Sequence, residues 1–201
     1  MQRILVWDLP TRLGHWLLAG SFAVAWLTGE SEEWRLVHAF AGGTMVAVVL
    51  FRLGWGFAGT TYARFAQFLR GPIAALAYLK SLLGRSPQHY TGHNPAGGWA
   101  IVLQLALTLC TALPGWLSYQ NIGGDWLGEL HEGLASVMLA VVLIHLAGVV
   151  VGSLTHHENL ARAMVTGFKQ GDADEAIAGV KPLAAVLLVG CAAAGAWLLS
   201  L

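Results

Sequence analysis

Long apolar runs separated by shorter polar connections dominate this chain. The runs cover about residues 13–29, 34–57, 99–119, 126–154 and 182–201. Each is long enough to form a helix that crosses a hydrocarbon layer about 30 Å thick. The pattern predicts an all-α integral membrane protein with five transmembrane helices, in which a polar linker at 155–181 separates the first four helices from the fifth at 182–201.

Composition agrees with a membrane protein. The chain has 201 residues, of which 56% are hydrophobic and 11% charged, whereas a soluble domain has about 25% charged residues. The 11 basic and 11 acidic residues cancel, so the charge does not indicate a nucleic-acid partner. Cys110 and Cys191 lie in apolar runs, which favours buried structural thiols over a disulfide. The sequence contains no CxxCH motif, so it does not indicate covalent attachment of a haem.

Three local patterns bear on the organisation of the chain. A cleaved signal peptide is an alternative for the first run, but Asp8 and His15 interrupt the charge and apolar pattern that such a peptide needs. The segment 73–85 has helical apolar spacing and only basic charges, which fits either a membrane-surface helix or an ordinary connector. Pro114 and Gly115 are expected to bend or end the third helix.

Charge in the connections sets the predicted orientation. The loops that follow the first and third runs, taken with the start of the next run, hold five acidic residues and a single basic one, Arg35. Because positively charged loops stay in the cytoplasm, the amino terminus and the linker are expected there, with the carboxyl terminus on the periplasmic side of a bacterial inner membrane. The other ten basic residues lie in the connections 1–12, 52–85 and 155–181: Arg3, Arg12, Arg52, Arg64, Arg70, Lys80, Arg85, Arg162, Lys169 and Lys181.

Two histidines mark the ends of one apolar run, HEGLASVMLAVVLIH, from His131 to His145. On an α-helix, fourteen steps separate the two rings by roughly 21 Å and return them to within about 40° of the same face. A single helix thus carries two imidazoles on one side, near opposite edges of the hydrocarbon layer. This arrangement favours two flat metal cofactors stacked across the membrane.

The predicted orientation sorts four histidines by depth. His15 and His145 fall near the cytoplasmic edge, and His38 and His131 fall near the periplasmic edge. Each pair comes from two different helices at one level, as haem clamped between axial imidazoles requires. We therefore expect an inner haem between His15 and His145 and an outer haem between His38 and His131.

Each histidine also has a simpler explanation. A lone intramembrane histidine can be a hydrogen-bonded packing residue or a step in a proton path. A zinc site would need its ligands within a few ångströms of each other, whereas these pairs lie roughly 21 Å apart along the axis. Axial coordination of a haem iron by two histidines leaves no open position for a gas or substrate, so electron transfer is the expected chemistry.

Other residues have weaker signals. Arg12 and Arg52 are candidates to neutralise haem propionates, although positive-inside placement explains them equally well. Four further histidines are interface residues by default, with proton uptake to a quinone as the alternative; they are His89, His93, His156 and His157. The GxGxxG match at 54–59 closes a membrane helix and follows no strand, so it does not indicate a nucleotide site.

Several segments together resemble the prokaryotic cytochrome b561 family, which includes the b-type subunits of nickel-iron hydrogenases. They are VWDLPTRLGHW at 6–16, the run around His38, FRLGWGFAGTTYARF at 51–65, GHNPAGGW at 92–99, and the paired His131 and His145. The resemblance covers about residues 1–170 and leaves the fifth helix without an assigned role. It implies a four-helix bundle at 1–154 that holds two haem b groups, ligated by His15, His38, His131 and His145.

The resemblance also implies electron exchange between membrane quinone and a partner redox protein. That partner is a periplasmic cytochrome c or a hydrogenase-type subunit, and the direction of electron flow is open. A homo-oligomer in membrane lipid is also compatible with the sequence. Two alternatives are a stand-alone superoxide or small-donor:quinone oxidoreductase, and a haem-free membrane anchor or proton/metal transporter.

Overall fold

The structure is a computed structural model that describes residues 2–82, 84 and 87–201. Arg85 and the end of the predicted segment 73–85 therefore lie outside the described residues. Helices dominate the described part. In chain order they are α1 Leu9–Thr28, α2 Arg35–Ala58, α3 Phe65–Phe68, α4 Pro72–Ser81, α5 Pro95–Tyr119, α6 Trp126–Thr155, α7 Leu160–Thr166 and α8 Pro182–Leu198.

A helix is found at each of the five predicted runs, with ends that differ by no more than about four residues. In the described part of the chain, α2, α5 and α6 are long and apolar enough to cross a membrane. The 17-residue α8 is a shorter apolar helix. The membrane crossings of α1 and α8 remain predictions.

Two smaller expectations have different outcomes. The helix expected within 73–85 is present as α4, and its exposed Ile73 and Leu76 are compatible with a membrane-surface position. The third long helix, α5, does not end at Pro114 but continues to Tyr119. Cys110 is exposed rather than buried, and neither cysteine forms a disulfide.

The described residues form two compact units. Unit 1 comprises Met1–Arg12, Gly54–Leu103 and Val141–Lys181, and unit 2 comprises Leu13–Leu53, Gln104–Ala140 and Pro182–Leu201. Each unit is held together by its own core.

Unit 1 also contains a two-stranded sheet, which the all-α prediction did not include. Strand β1, Gln2–Leu5, pairs antiparallel with β2, Phe168–Gly171, in a register that joins Gln2 to Gly171 and Leu5 to Phe168. The backbone N–H groups of Val6 and Trp7 both donate to the carbonyl of Gly167. Gly167 has a φ of 87°, which a residue without a side chain adopts without strain.

Asp8 begins α1 and organises the surrounding part of unit 1. It is 1% exposed, and its Oδ1 accepts from the backbone N–H of Thr11 at 2.9 Å, as an N-cap residue does. Its Oδ2 accepts from Trp55 Nε1 at 3.0 Å and from Thr60 Oγ1 at 2.7 Å. One buried carboxylate thus fixes the start of α1 to the last turn of α2 and the turn that follows.

Unit 2 includes α8 in its core. Leu188 and Ala192 of α8 pack with Val48 of α2, and leucines of α1 lie against this cluster. A Cβ added at Gly195 would lie 2.7 Å from the carbonyl oxygen of Gly43, so the backbones of α8 and α2 are in close contact. The sequence left the fifth helix without a role, and the structure packs it against its own chain.

Candidate metal centre

The structure brings His38 and His131 together in unit 2. His38 lies in the first turn of α2 and His131 in the second turn of α6. Their ring centroids are 5.8 Å apart, and the ring planes differ by 74°. These are the two histidines that the sequence assigns to the outer haem.

The ring of His38 is fixed by the end of α1. Its Nδ1 lies 2.9 Å from the carbonyl oxygen of Ala25, in the last turn of that helix. The last four carbonyls of a helix lack a helical donor and carry partial negative charge. Because a carbonyl only accepts, the His38 Nδ1 carries the proton, and its Nε2 keeps a lone pair for a metal.

His131 is fixed in the same way by α5. Its Nδ1 lies 2.9 Å from the carbonyl oxygen of Thr111. Pro114 lacks an N–H group and disturbs the helical turn that precedes it, which includes Thr111. A Cβ added at Gly115 would lie 2.7 Å from His131 Cε1, so glycine at this position lets the ring approach the helix.

The geometry of the pair fits a shared metal. A metal ion bonded to both Nε2 atoms at about 2 Å would separate the ring centroids by roughly 6 Å, and the observed separation is 5.8 Å. Gly42 follows His38 by four residues, and no atom lies within 4 Å of its added Cβ, which leaves room for a flat macrocycle. Among the described residues, no set of three or more His, Cys, Asp or Glu side chains is placed to hold a metal ion.

The two histidines assigned to the inner haem fall in different units. His15 lies on α1 in unit 2, where its ring meets Trp16 edge-on with centroids 4.9 Å apart. His145 lies on α6 in unit 1. The pairing of His15 with His145 remains a prediction.

The candidate arginines are also on separate elements. Arg12 lies in the first turn of α1, and its Nη1 donates to the carbonyl of Val165 at 3.0 Å. Its Nε is buried and has no hydrogen-bond partner among the described residues, which suits an anionic group such as a propionate. Arg52 lies on α2 in unit 2. Propionate binding by either arginine remains a prediction.

Unit 1 contains a cavity of about 240 Å³ that the sequence did not indicate. His93 lines it and is held between Trp7 and Phe68, whose ring centroids lie 4.4 Å and 4.9 Å from its own. Tyr62 also lines the cavity, and burial together with the charge of Glu175 raises the pKa of its hydroxyl.

An ionic cluster at the edge of this cavity was also missed. Lys169 is 5% exposed, and its Nζ lies 3.1 Å from Glu158 Oε2. His89 Nε2 lies 3.7 Å from the same oxygen, and the His89 and His156 rings are 5.3 Å apart. Burial, with smaller effects from His89 and Lys169, lowers the pKa of His156. Three of these residues lie in the linker 155–181, whereas His89 comes from the connection between α4 and α5.

Apolar helices and a pair of histidines with Nδ1 groups bound to backbone carbonyls define a multi-pass membrane protein with a candidate two-histidine metal centre. The chain belongs to the prokaryotic cytochrome b561 family, whose profile matches residues 6–167. This match confirms the family resemblance of the sequence. Membership implies haem b as the cofactor and electron transfer as the role.

Three relatives share the description "Probable Ni/Fe-hydrogenase B-type cytochrome subunit". The protein of Rhizobium leguminosarum bv. viciae is 23% identical over 214 aligned positions, which cover 83% of this chain and 88% of that protein. The protein of Bradyrhizobium diazoefficiens is 22% identical, with 83% and 86% covered. The protein of Azotobacter chroococcum mcd 1 is 29% identical, with 63% and 65% covered. No solved structure matches the chain.

Proposed function

We propose that this chain carries electrons across the bacterial inner membrane between the quinone pool and a partner redox protein. In this proposal His38 and His131 hold an outer haem b, and His15 and His145 hold an inner one. The observation that supports it most directly is the 5.8 Å separation of the His38 and His131 rings. The fourteen-residue spacing of His131 and His145 on α6 supports the second, deeper level.

The contacts of the outer pair give each residue a definite role. Haem iron with two imidazole ligands has no open position, so the bound group supplies one-electron transfer. The carbonyl groups of Ala25 and Thr111 hold the two rings in orientation and keep the Nδ1 atoms protonated. Such contacts to the distal ring nitrogen raise the basicity of a histidine ligand. The buried Nε of Arg12 supplies a donor for a propionate of the inner haem.

The relatives support a hydrogenase-type partner, since each is described as a probable hydrogenase cytochrome subunit. The basic connections support an amino terminus in the cytoplasm and an outer haem near the periplasm. A periplasmic cytochrome c would be an equivalent electron partner at that end. The direction of electron flow follows from which partner is present.

We place the quinone ring in the cavity of unit 1. Its lining combines aromatic rings with hydrogen-bonding groups, which suits an aromatic ring that carries oxygen substituents. Tyr62, His93 and Arg70 contribute these groups. The nearby His89, Glu158 and Lys169 supply titratable groups for proton exchange with solvent.

Spectroscopy of the purified protein tests the proposal. After growth with ample iron, we expect a dithionite-reduced b-type spectrum and two haems per chain by extraction. A colourless preparation would favour the haem-free anchor or transporter. Reduction of quinone by superoxide or a small donor, without any partner subunit, would favour the stand-alone oxidoreductase.

A further inference from the structure

A second cavity of about 240 Å³ lies in unit 1, at the end of α2. It is lined by the last turn of α2, by the turn that follows and by the segment that precedes α8. The side chains that matter here are Trp55, Thr60, Thr61, Arg64, Ile177 and Lys181. None of them belongs to the histidine sites.

The cavity is cationic. Among the described residues, Arg64 and Lys181 are the ionisable side chains of its lining, and none of the lining side chains is acidic. Both cations are exposed, and neither forms an ion pair with any described residue. Two positive charges without a carboxylate partner attract an anion.

One acid, Asp8, is hydrogen-bonded to two side chains of the lining. Its oxygens accept from Trp55 Nε1 and Thr60 Oγ1, and it is 1% exposed. Asp8 therefore orients the indole and the Thr60 hydroxyl at the wall of the cavity. The exposed hydroxyl of Thr61 adds a donor beside the two cations.

The segment that carries Lys181 is held in place. The backbone N–H of Ile177 donates to the carbonyl of Leu5, and the N–H of Leu9 donates to the carbonyl of Val180, both at 2.9 Å. Lys181 itself has a φ of 57°, in the left-handed region that residues with side chains rarely adopt. A strained conformation of this kind persists only where the surrounding structure imposes it, and such conformations cluster at binding sites.

The position of the cavity indicates the ligand. It lies at the end of α2, a helix long and apolar enough to cross a membrane, and the neighbouring Phe57 is 78% exposed. This is the depth at which lipid headgroups meet a membrane protein. We propose that Arg64 and Lys181 bind a phosphate group here, carried by an anionic phospholipid or present as free phosphate. The proposal does not depend on haem ligation.

Native mass spectrometry of the full-length protein in detergent tests this site. The probes are phosphatidylglycerol, phosphatidylcholine and inorganic phosphate. We expect preferential retention of phosphatidylglycerol, and we expect Arg64→Gln combined with Lys181→Gln to weaken it by roughly tenfold or more, as two lost cations would at a membrane surface. The charge-conserving pair Arg64→Lys and Lys181→Arg should keep most of the binding and shows that the site still folds.

Lys80 provides a matched control for the loss of one positive charge. Lys80→Gln removes an exposed cation from α4, outside the cavity, and should leave lipid retention unchanged. Competition by inorganic phosphate at low millimolar concentration would identify free phosphate as the ligand, and its absence would identify the lipid. Equal retention of the two lipids without any effect of inorganic phosphate, or an equal loss in Lys80→Gln and Lys181→Gln, would overturn the proposal.

Discussion

His131 Nδ1 lies 2.9 Å from the carbonyl oxygen of Thr111. Thr111 belongs to α5, a helix that has no histidine of its own. Because it has no histidine, the sequence assigns this helix no metal ligand. In the structure it supplies the acceptor that orients one of the candidate ligands. Outer contacts of this kind typically change metal affinity by about 10–100-fold when they are removed.

Gly115→Ala tests this orientation. The added Cβ would lie 2.7 Å from His131 Cε1, closer than side-chain atoms approach each other, so the ring must move. We expect loss of the Thr111 contact and roughly 10–100-fold weaker binding of the outer haem. Haem titration of the purified variant measures this. Gly190→Ala on α8, where no atom lies within 4 Å of the added Cβ, is the control. Wild-type affinity in Gly115→Ala would contradict the assigned role of Thr111.

The close contact between Gly195 and Gly43 predicts that α8 is part of the stable fold. In Gly195→Val the new side chain would overlap the Gly43 carbonyl, so we expect a loss of about 1–3 kcal/mol in the free energy of unfolding. Thermal unfolding in detergent measures it. Gly190→Val places the same residue in an open position of the same helix. Equal melting temperatures for the two variants would show that α8 is not held by this contact.

Asp8 predicts a second stability effect. Asp8→Ala would leave the buried donors Trp55 Nε1 and Thr60 Oγ1 without their acceptor and would remove the N-cap of α1. We expect a loss of roughly 2–4 kcal/mol in the free energy of unfolding. Asp8→Asn keeps one acceptor oxygen and should lose less. Denaturant unfolding measures both, and an Asn variant as unstable as the Ala variant would argue against the hydrogen-bond explanation.

Glu175 gives a pH-dependent prediction. The hydroxyl of Thr91 donates to Glu175 Oε1 at 2.6 Å and, with a smaller contribution from the N–H of Asp172, lowers the pKa of the carboxyl below its usual 4.5. The folded state therefore favours the ionised form. This contribution to stability is complete above the usual pKa and is lost as the pH falls through the lower pKa of the folded state.

Thr91→Val removes the donor and returns the Glu175 pKa toward its usual value. The variant should melt below the wild type near about pH 7, and the difference should shrink below about pH 4.5. Thermal unfolding across this range measures the difference. A gap that stays constant down to about pH 3 would indicate a packing defect instead of a lost charge-assisted bond.

The length of the apolar runs predicted the main helices, and the spacing of the histidines predicted the pairing of His38 with His131. Each of the five apolar runs predicts a helix, because backbone groups in a membrane must be satisfied within a helix. His38 and His131 were paired because both are expected near the periplasmic edge of the membrane, and the structure places their rings 5.8 Å apart. Both inferences rest on helical periodicity, which a single sequence displays directly.

Contacts between segments that are distant in the chain could not be predicted from the sequence. Strands β1 and β2 have four residues each, too few to show a period, and each is stable only with its partner. The acceptors Ala25 and Thr111 are backbone carbonyls, whose use depends on where a neighbouring helix lies. Lys169 and Glu158 read as ordinary loop charges until folding buries them together.

The redox difference spectrum of His131→Ala tests the central claim most directly, with haem counted per chain and His15→Ala measured beside it. We expect His131→Ala to lose the outer haem and keep a b-type spectrum from the inner one, and His15→Ala to lose the other haem. A folded His131→Ala protein that keeps the full haem content of the wild type would contradict ligation by this pair.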